Sequence, residues 1–288
     1  ERRQVLEALE DGTLDLVVGT HALISESVKY KNLGLVIADE QHRFGVKQRA
    51  ALMQKGTENH ALFMSATPIP RTLSMILYGD LDVSVIDEMP PGRKPVETRI
   101  VLANKRDDMY AFLADRARQG GQAYVVCPRI EGEEEDDQAA EQIYTMMKKR
   151  FADVSIGLLH GKMKQAEKQE IMEQFAQNHI QILVSTTVVE VGVNVPNATV
   201  MVIERADRFG LAQLHQLRGR VGRGSAQSWC FLAAEREDRQ RLLTMTQTQD
   251  GFEVAKADLE LRGPGSFLGE EQHGFTDAGA LMLTKDAG

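Results

Sequence analysis

Two adjacent carboxylates close an apolar run in VIADEQHRFG, residues 36–45. Acids at a strand end commonly do no more than cap a loop or the next helix. Ligands of open parallel sheets, however, bind beyond the carboxyl ends of the strands, and other polar groups fall at the same kind of place. Ser65 and Thr67 follow HALFM, and Ser185, Thr186 and Thr187 follow QILV. Thr67 stands before Pro68, a pairing whose local role is to cap a helix. A basic cluster, QLHQLRGRVGRG, occupies residues 213–224. Read as a helix, it puts Gln216, Arg220 and Arg223 at i, i+4 and i+7, on one face. Glycines at 219, 222 and 224 would each weaken an interior helix by about 1 kcal/mol.

Guanidinium forks suit phosphate oxygens, and a carboxylate pair suits a hard cation and a nucleophilic water. Together they suggest a nucleotide held between two lobes. Asp39 would hold Mg²⁺ through its water shell, and Glu40 would orient and deprotonate the attacking water. Arg220 and Arg223 would neutralise charge on the transferring phosphoryl group, a contribution of about 10³ to 10⁵ in rate. The plainer alternative is a pair of capping acids and a solvated basic helix end.

The elements that must position these groups alternate short apolar runs with longer helical ones, as βαβ units do. Strands are expected at 14–19, 33–39, 60–66 and 82–88. MPPGRKP, residues 89–95, packs three prolines and a glycine into seven positions and reads as a linker. A second series follows, with strands ETRIVLA, QAYVVCP, VSIGLLH, QILVST, TVMVIE and SWCFLAA and helices between most of them. The expected division is 1–89 for a first lobe, 90–95 for the linker, 96–235 for a second lobe and 236–288 for a helical, then glycine-rich, tail.

The chain of 288 residues is long enough for two α/β domains. Cys127 and Cys230 lie in apolar runs without metal-ligand spacing and are expected as reduced core residues. Met146 and Met147 are expected as core filler on an amphipathic helix. The net charge of −8 is opposite in sign to a nucleic-acid footprint, but EGEEEDDQAAE, residues 131–141, carries seven acids and leaves the remainder near neutrality. That run is expected to be a solvated loop leading into a helix start. An apolar stretch of the roughly 18 residues that a spanning helix needs is absent, so a cytoplasmic location without membrane association is expected.

GTHAL, DEQHRFG, SATPIPRT, STTVVEVGVNVPNA and QLRGRVGRG occur in the order of superfamily 2 helicase motifs Ib, II, III, V and VI. DEQHRFGVKQR, YGDLDVSVIDEMPPGRKP and RFGLAQLHQLRGRVGRG resemble the RecG family of bacterial DNA helicases, from about residue 14 to 275. The resemblance implies two RecA-like lobes, the first truncated and lacking the phosphate-binding loop, and a motor that uses ATP and Mg²⁺ to remodel branched DNA and stalled forks. It implies that Gln41 and His42 couple the acidic site to its neighbours, that Gly192, Asn194 and Gln216 approach the nucleotide, and that Ser65 and Thr67 link hydrolysis to movement. Thr20, His21, His160, Gly161, Thr186 and Thr187 are the implied contacts to nucleic acid, with little net positive charge required. DLELRGPGSFLGEEQHG resembles the segment that couples turnover to translocation in this family and in the transcription-repair coupling factor, with Arg262 the residue of choice.

G-x-x-x-x-G-K-[ST] does not occur in the chain. The phosphate loop and the wedge domain of the family are therefore expected upstream, in a missing N-terminal part of the same protein, and the chain alone is expected not to hydrolyse ATP. The full protein is expected to be monomeric on branched or duplex DNA. Two other readings remain open: a translocase like the coupling factor, and a DNA-binding module that has the fold without turnover.

Overall fold

In a computed structural model the chain is described at residues 2–40, 51, 55–56, 59–65, 82–86, 88–90, 92–128, 135–186, 195–235 and 239–262. It divides into two compact units, Glu1–Pro68 and Ile69–Gly288.

The first unit opens with α1 (Arg2–Asp11), which buries Leu9. A short 3-10 turn, His21–Ile24, follows. β1 (Leu35–Ala38) and β2 (His60–Phe63) pair in parallel, with Leu35 opposite His60 and Ala38 opposite Phe63. Lys55 ties the unit together by donating to the carbonyls of Ser25 and Val28, each at 2.7 Å.

Two of the expected strands are not formed. Residues 14–19 and 82–86 have no regular structure, and Leu16, Val18 and Ile86 are 77%, 89% and 92% exposed. Apolar alternation states a preference for a half-buried extended chain. A strand also needs a neighbour to complete its ladder, and neither run has one among the described residues.

The second unit contains β3 (Glu97–Val101), α2 (Arg106–Arg118), β4 (Gln122–Cys127), α3 (Glu135–Arg150), β5 (Ile156–Leu159), α4 (Gln165–Ala176), β6 (Ile182–Thr186), β7 (Ala198–Ile203), α5 (Leu211–Arg218), β8 (Trp229–Ala233), α6 (Arg239–Gln247) and α7 (Gly251–Arg262). The six strands are parallel, in the order β3-β8-β7-β4-β6-β5. Helices cover both faces, which is why the inner strands read as continuous apolar runs. On one face Tyr124, Val126, Leu183, Met201 and Leu232 pack against Phe175 of α4, Leu211 and Leu214 of α5, and Leu242 and Met245 of α6. On the other, Val125, Val184 and Val202 meet Leu113 of α2 and Met147 of α3. Cys127 and Cys230 are buried and form no disulfide, as expected, and Met146 packs beside the buried Met147.

α3 begins inside the acidic run, at Glu135, and ends in Lys148, Lys149 and Arg150, so each end of its dipole meets the opposite charge. A buried acid lies at the end of β7. Glu204 accepts from the Tyr110 hydroxyl at 2.5 Å and stands 3.6 Å from Arg106. Burial first, and then that carboxylate, raise the Tyr110 hydroxyl above its ordinary value, so it stays a donor.

Candidate functional site

In the first unit the candidate groups gather at the carboxyl end of the two-stranded sheet. Ala38 is the last residue of β1, and Asp39 follows with its side chain exposed. The Asp39 carboxylate accepts from the Glu40 backbone N–H at 2.8 Å. Glu40 takes a left-handed conformation, φ 51°, which costs a non-glycine residue about 1 kcal/mol or more. This turn ends the strand abruptly and separates the two carboxylates from the ladder. At the same end the Met64 N–H donates to Ala38 O at 2.8 Å, so Ser65 emerges beside the acids. Thr20 accepts from the Ala22 N–H at 3.5 Å and caps the turn that holds His21, and both residues are exposed. Gln41, His42 and Thr67 lie outside the described residues.

The exposed Asp39 is a hard oxygen donor suited to Mg²⁺ that keeps most of its waters. Among the described residues no cluster of three or more metal-ligating side chains occurs.

In the second unit, Leu159 of β5 pairs with Ser185 of β6, which brings His160 and Thr186 out at one end. The hydroxyl oxygens of Ser185 and Thr186 are buried without a hydrogen-bond partner among the described residues, as is His160 Nδ1. Such groups cost free energy unless something else satisfies them. His160 Nε2 stands 3.9 Å from Glu141. Gly161 gives its carbonyl to Lys168 at 2.8 Å. Thr187, Gly192 and Asn194 lie outside the described residues.

The arginine motif departs from the expected helix. α5 ends at Arg218, and Gly219 caps it by donating to His215 O at 3.0 Å. Gln216 alone of the three expected residues is helical, while Arg220 and Arg223 lie on the turn that follows. Beyond that end Gly222 keeps the chain from returning to a helix before Arg223, with φ +72° and Val96 Cγ2 only 2.7 Å from where a Cβ would be. A left-handed residue ends a helix, and glycine adopts it at least cost. The glycines therefore form a turn rather than weaken a helix.

The two arginines still converge. Both guanidinium groups act on buried Tyr124, whose hydroxyl is pushed up to about 12 by burial with Arg220 and Arg223 opposing. Burial first, and then Arg220 and Arg93, hold the Arg223 value below the ordinary one. Arg223 Nε donates to Gly219 O at 3.3 Å. The Arg220 guanidinium and the Nη groups of Arg223 make no hydrogen bond among the described residues. A planar guanidinium is a donor fork suited to an anion.

Arg218 escaped the sequence reading. It is 3% exposed, and its Nη1 donates to the carbonyls of Met245 and Thr248, each at 2.8 Å, while Nη2 meets His215 Nδ1 at 3.1 Å. Leu211, Leu214 and Arg218 stand at i, i+3 and i+7, and they are the buried residues of α5. That spacing was the available signal. Arg262 closes α7.

His215 gives this cluster a pH dependence. Burial, and then Arg218, push its imidazole from 6.5 down to about 4, with Asp250 opposing. The neutral ring accepts from Arg218, so the unfolded chain binds more protons between pH 6.5 and about 4. The contribution is whole above the unfolded value and is lost as pH falls toward the folded one. With partial solvent access discounted, it amounts to about 2 kcal/mol or less. Urea unfolding of His215→Gln should vary less across this window than wild type, and an equal dependence would assign the effect elsewhere.

Comparison with known proteins places these residues in context. The DEAD/DEAH box helicase model matches residues 1–76 and the helicase conserved C-terminal domain matches 104–225. The chain is 54% identical over 290 residues to the ATP-dependent DNA helicase RecG of Bacillus subtilis, covering 99% of this chain and 42% of that protein. It is 53% identical over 291 residues to RecG of Synechocystis, covering 99% and 35%. The chain thus spans less than half the length of these curated relatives. A solved structure of RecG bound to a three-way DNA junction matches with a TM-score of 0.73 and 48% identity, over 92% of this chain and 35% of that one. The Mycobacterium smegmatis helicase Lhr, at 17% identity and a TM-score of 0.58, shares the RecA-like helicase fold.

Proposed function

Because the chain belongs to the RecG family of helicases, we propose that it is the motor portion of an ATP-dependent DNA helicase that remodels branched DNA in recombination and repair. The observation that carries the reading is the pair of arginines at 220 and 223, which form no ion pair among the described residues, on a chain about half-identical to RecG over nearly its whole length. Residues 1–89 would be the first lobe, 96–235 the second and 236–288 the coupling segment. The solved RecG holds a three-way junction, and that ligand class is carried to this chain here.

In this reading Glu40 orients a water in line with the terminal phosphorus and accepts its proton as the new P–O bond forms. The bond to the leaving diphosphate breaks on the opposite side. Arg220 and Arg223 offset charge on the equatorial oxygens, and Gln41, His42, Gly192, Asn194 and Gln216 line the nucleotide. Asp39, through waters, would hold Mg²⁺, which supplies charge neutralisation at the phosphates. Thr20, His21, His160, Gly161, Thr186 and Thr187 would meet the DNA backbone. The hydroxyls of Ser185 and Thr186, buried without a partner among the described residues, support a polar occupant at that end. Ser65, Thr67 and Arg262 would couple turnover to movement. No helix among the described residues is long and apolar enough to cross a membrane, which fits a protein working on DNA in the cytoplasm.

The test is ATP hydrolysis by the full-length protein with a three-way junction, linear duplex or RNA. Junction DNA should stimulate most and RNA least, and Glu40→Gln should abolish the stimulated rate while DNA binding persists. Equal stimulation by RNA, or wild-type turnover by Glu40→Gln, would refute the reading.

A further inference from the structure

The PPGRKP segment, residues 90–95, does more than connect. Arg93 N–H donates to Pro90 O at 3.3 Å, and Gly92 has φ +80°. That bond closes a four-residue turn, and a left-handed residue in its third place favours glycine. Such a turn is stiff, and it presents the next side chain in a set direction. Arg93 Nε donates to the carbonyl of Gly222 at 2.7 Å, across 129 positions of sequence. Three residues on, Val96 packs so closely on Gly222 that no side chain fits between them. Val96 is itself held on both backbone groups by Gln249, with its N–H donating at 3.3 Å and its carbonyl accepting at 2.5 Å. The proline turn and the arginine turn are therefore pressed together.

The contact also gathers charge. Arg93 and Arg220 both act on Arg223. None of the three forms an ion pair among the described residues, and their mutual repulsion would be relieved by an anion. A group that brought them together for stability alone would ordinarily carry a carboxylate.

We propose that Arg93 is a positioning residue for the arginine turn: through the Gly222 carbonyl it sets Arg220 and Arg223 against the terminal phosphate, and makes that placement depend on the proline turn that carries it. The proposal rests on the nucleotide-site reading above. It assigns to the segment leading into the second lobe a direct hold on the groups that stabilise the transition state.

The experiment uses the full-length protein and the variants Arg93→Ala, Arg93→Lys, Arg223→Ala and the double variant Arg93→Ala/Arg223→Ala. DNA-stimulated kcat and the Kd of a non-hydrolysable ATP analogue are measured for each. Arg93→Ala should lower kcat by about 10- to 100-fold and change Kd by less than about threefold, the pattern of an interaction used in the transition state. Lysine retains a donor for the carbonyl and should recover most of that loss. Residues acting as a unit are non-additive, so the double variant should be no slower than Arg223→Ala. Losses that multiply, an effect confined to Kd, or a kcat for Arg93→Ala within twofold of wild type would each overturn the proposal. If Arg93→Ala does not fold, Arg93→Lys decides, since turnover no better than the background of Arg223→Ala would also overturn it. Unchanged turnover in Arg223→Ala would instead refute the nucleotide-site reading itself.

Discussion

Arg223→Ala should reduce DNA-stimulated ATP turnover in the full-length protein by about 10³-fold or more, the loss of about 4 kcal/mol of transition-state stabilisation. The side chain is exposed, and its one hydrogen bond among the described residues, from Nε to Gly219 O, uses only one edge of the fork. Little folding stability should therefore be lost, and the melting temperature should stay within about 2 °C of wild type. Arg223→Lys should recover only a small part of the rate, because an ammonium cannot span two phosphate oxygens as a planar guanidinium does. KM for ATP should change far less than kcat, since the interaction forms as charge moves onto the equatorial oxygens. Single-turnover hydrolysis separates this step from product release. A loss expressed wholly in KM would make Arg223 a ground-state binder and remove it from the chemical step.

Arg218→Ala should behave in the opposite way, destabilising the second lobe by about 3 to 5 kcal/mol. Its guanidinium is buried, and burial holds its value below the ordinary one. Removing it leaves the Met245 and Thr248 carbonyls and the His215 ring without their donor, and opens a cavity between α5 and the α6–α7 pair. For a unit of this size that corresponds to a fall in melting temperature of roughly 6 to 20 °C. Arg218→Met fills the volume but supplies no donor, so it should recover only the packing part. Urea and thermal unfolding measure both variants. A melting temperature for Arg218→Ala within about 2 °C of wild type would show that water replaces the guanidinium at little cost, and would make Arg218 a surface residue in energetic terms.

These two neighbours in one short motif show where sequence reading stops. QLRGRVGRG announces phosphate chemistry through its residue types, yet it does not say which arginine faces out. The helix was expected to run through Arg223 because periodicity counts residues and does not see Val96, which arrives beside Gly222 from far along the chain. The same limit explains the first unit. LDLVVG has a strand's composition, but Leu16 and Val18 are exposed because no ladder partner reaches them among the described residues.

The second lobe was legible strand by strand. QAYVVC, ILVST and ATVMVI are buried on both faces of a parallel sheet, and double burial needs continuous apolar runs. The acids at 39 and 40 were legible as charges directly after an apolar run, which emerge where the strand ends.

By itself, then, the sequence determined the α/β alternation of the second lobe, the carboxylates at a strand end and the presence of an arginine cluster, all of them properties of neighbours in the chain. Tertiary structure decided that the chain turns at Gly222 beneath Val96, that Arg218 turns inward and that Arg93 holds the turn. Each of those outcomes depends on a carbonyl or a methyl group supplied from a distant segment, and contacts of that kind leave no local periodicity to read.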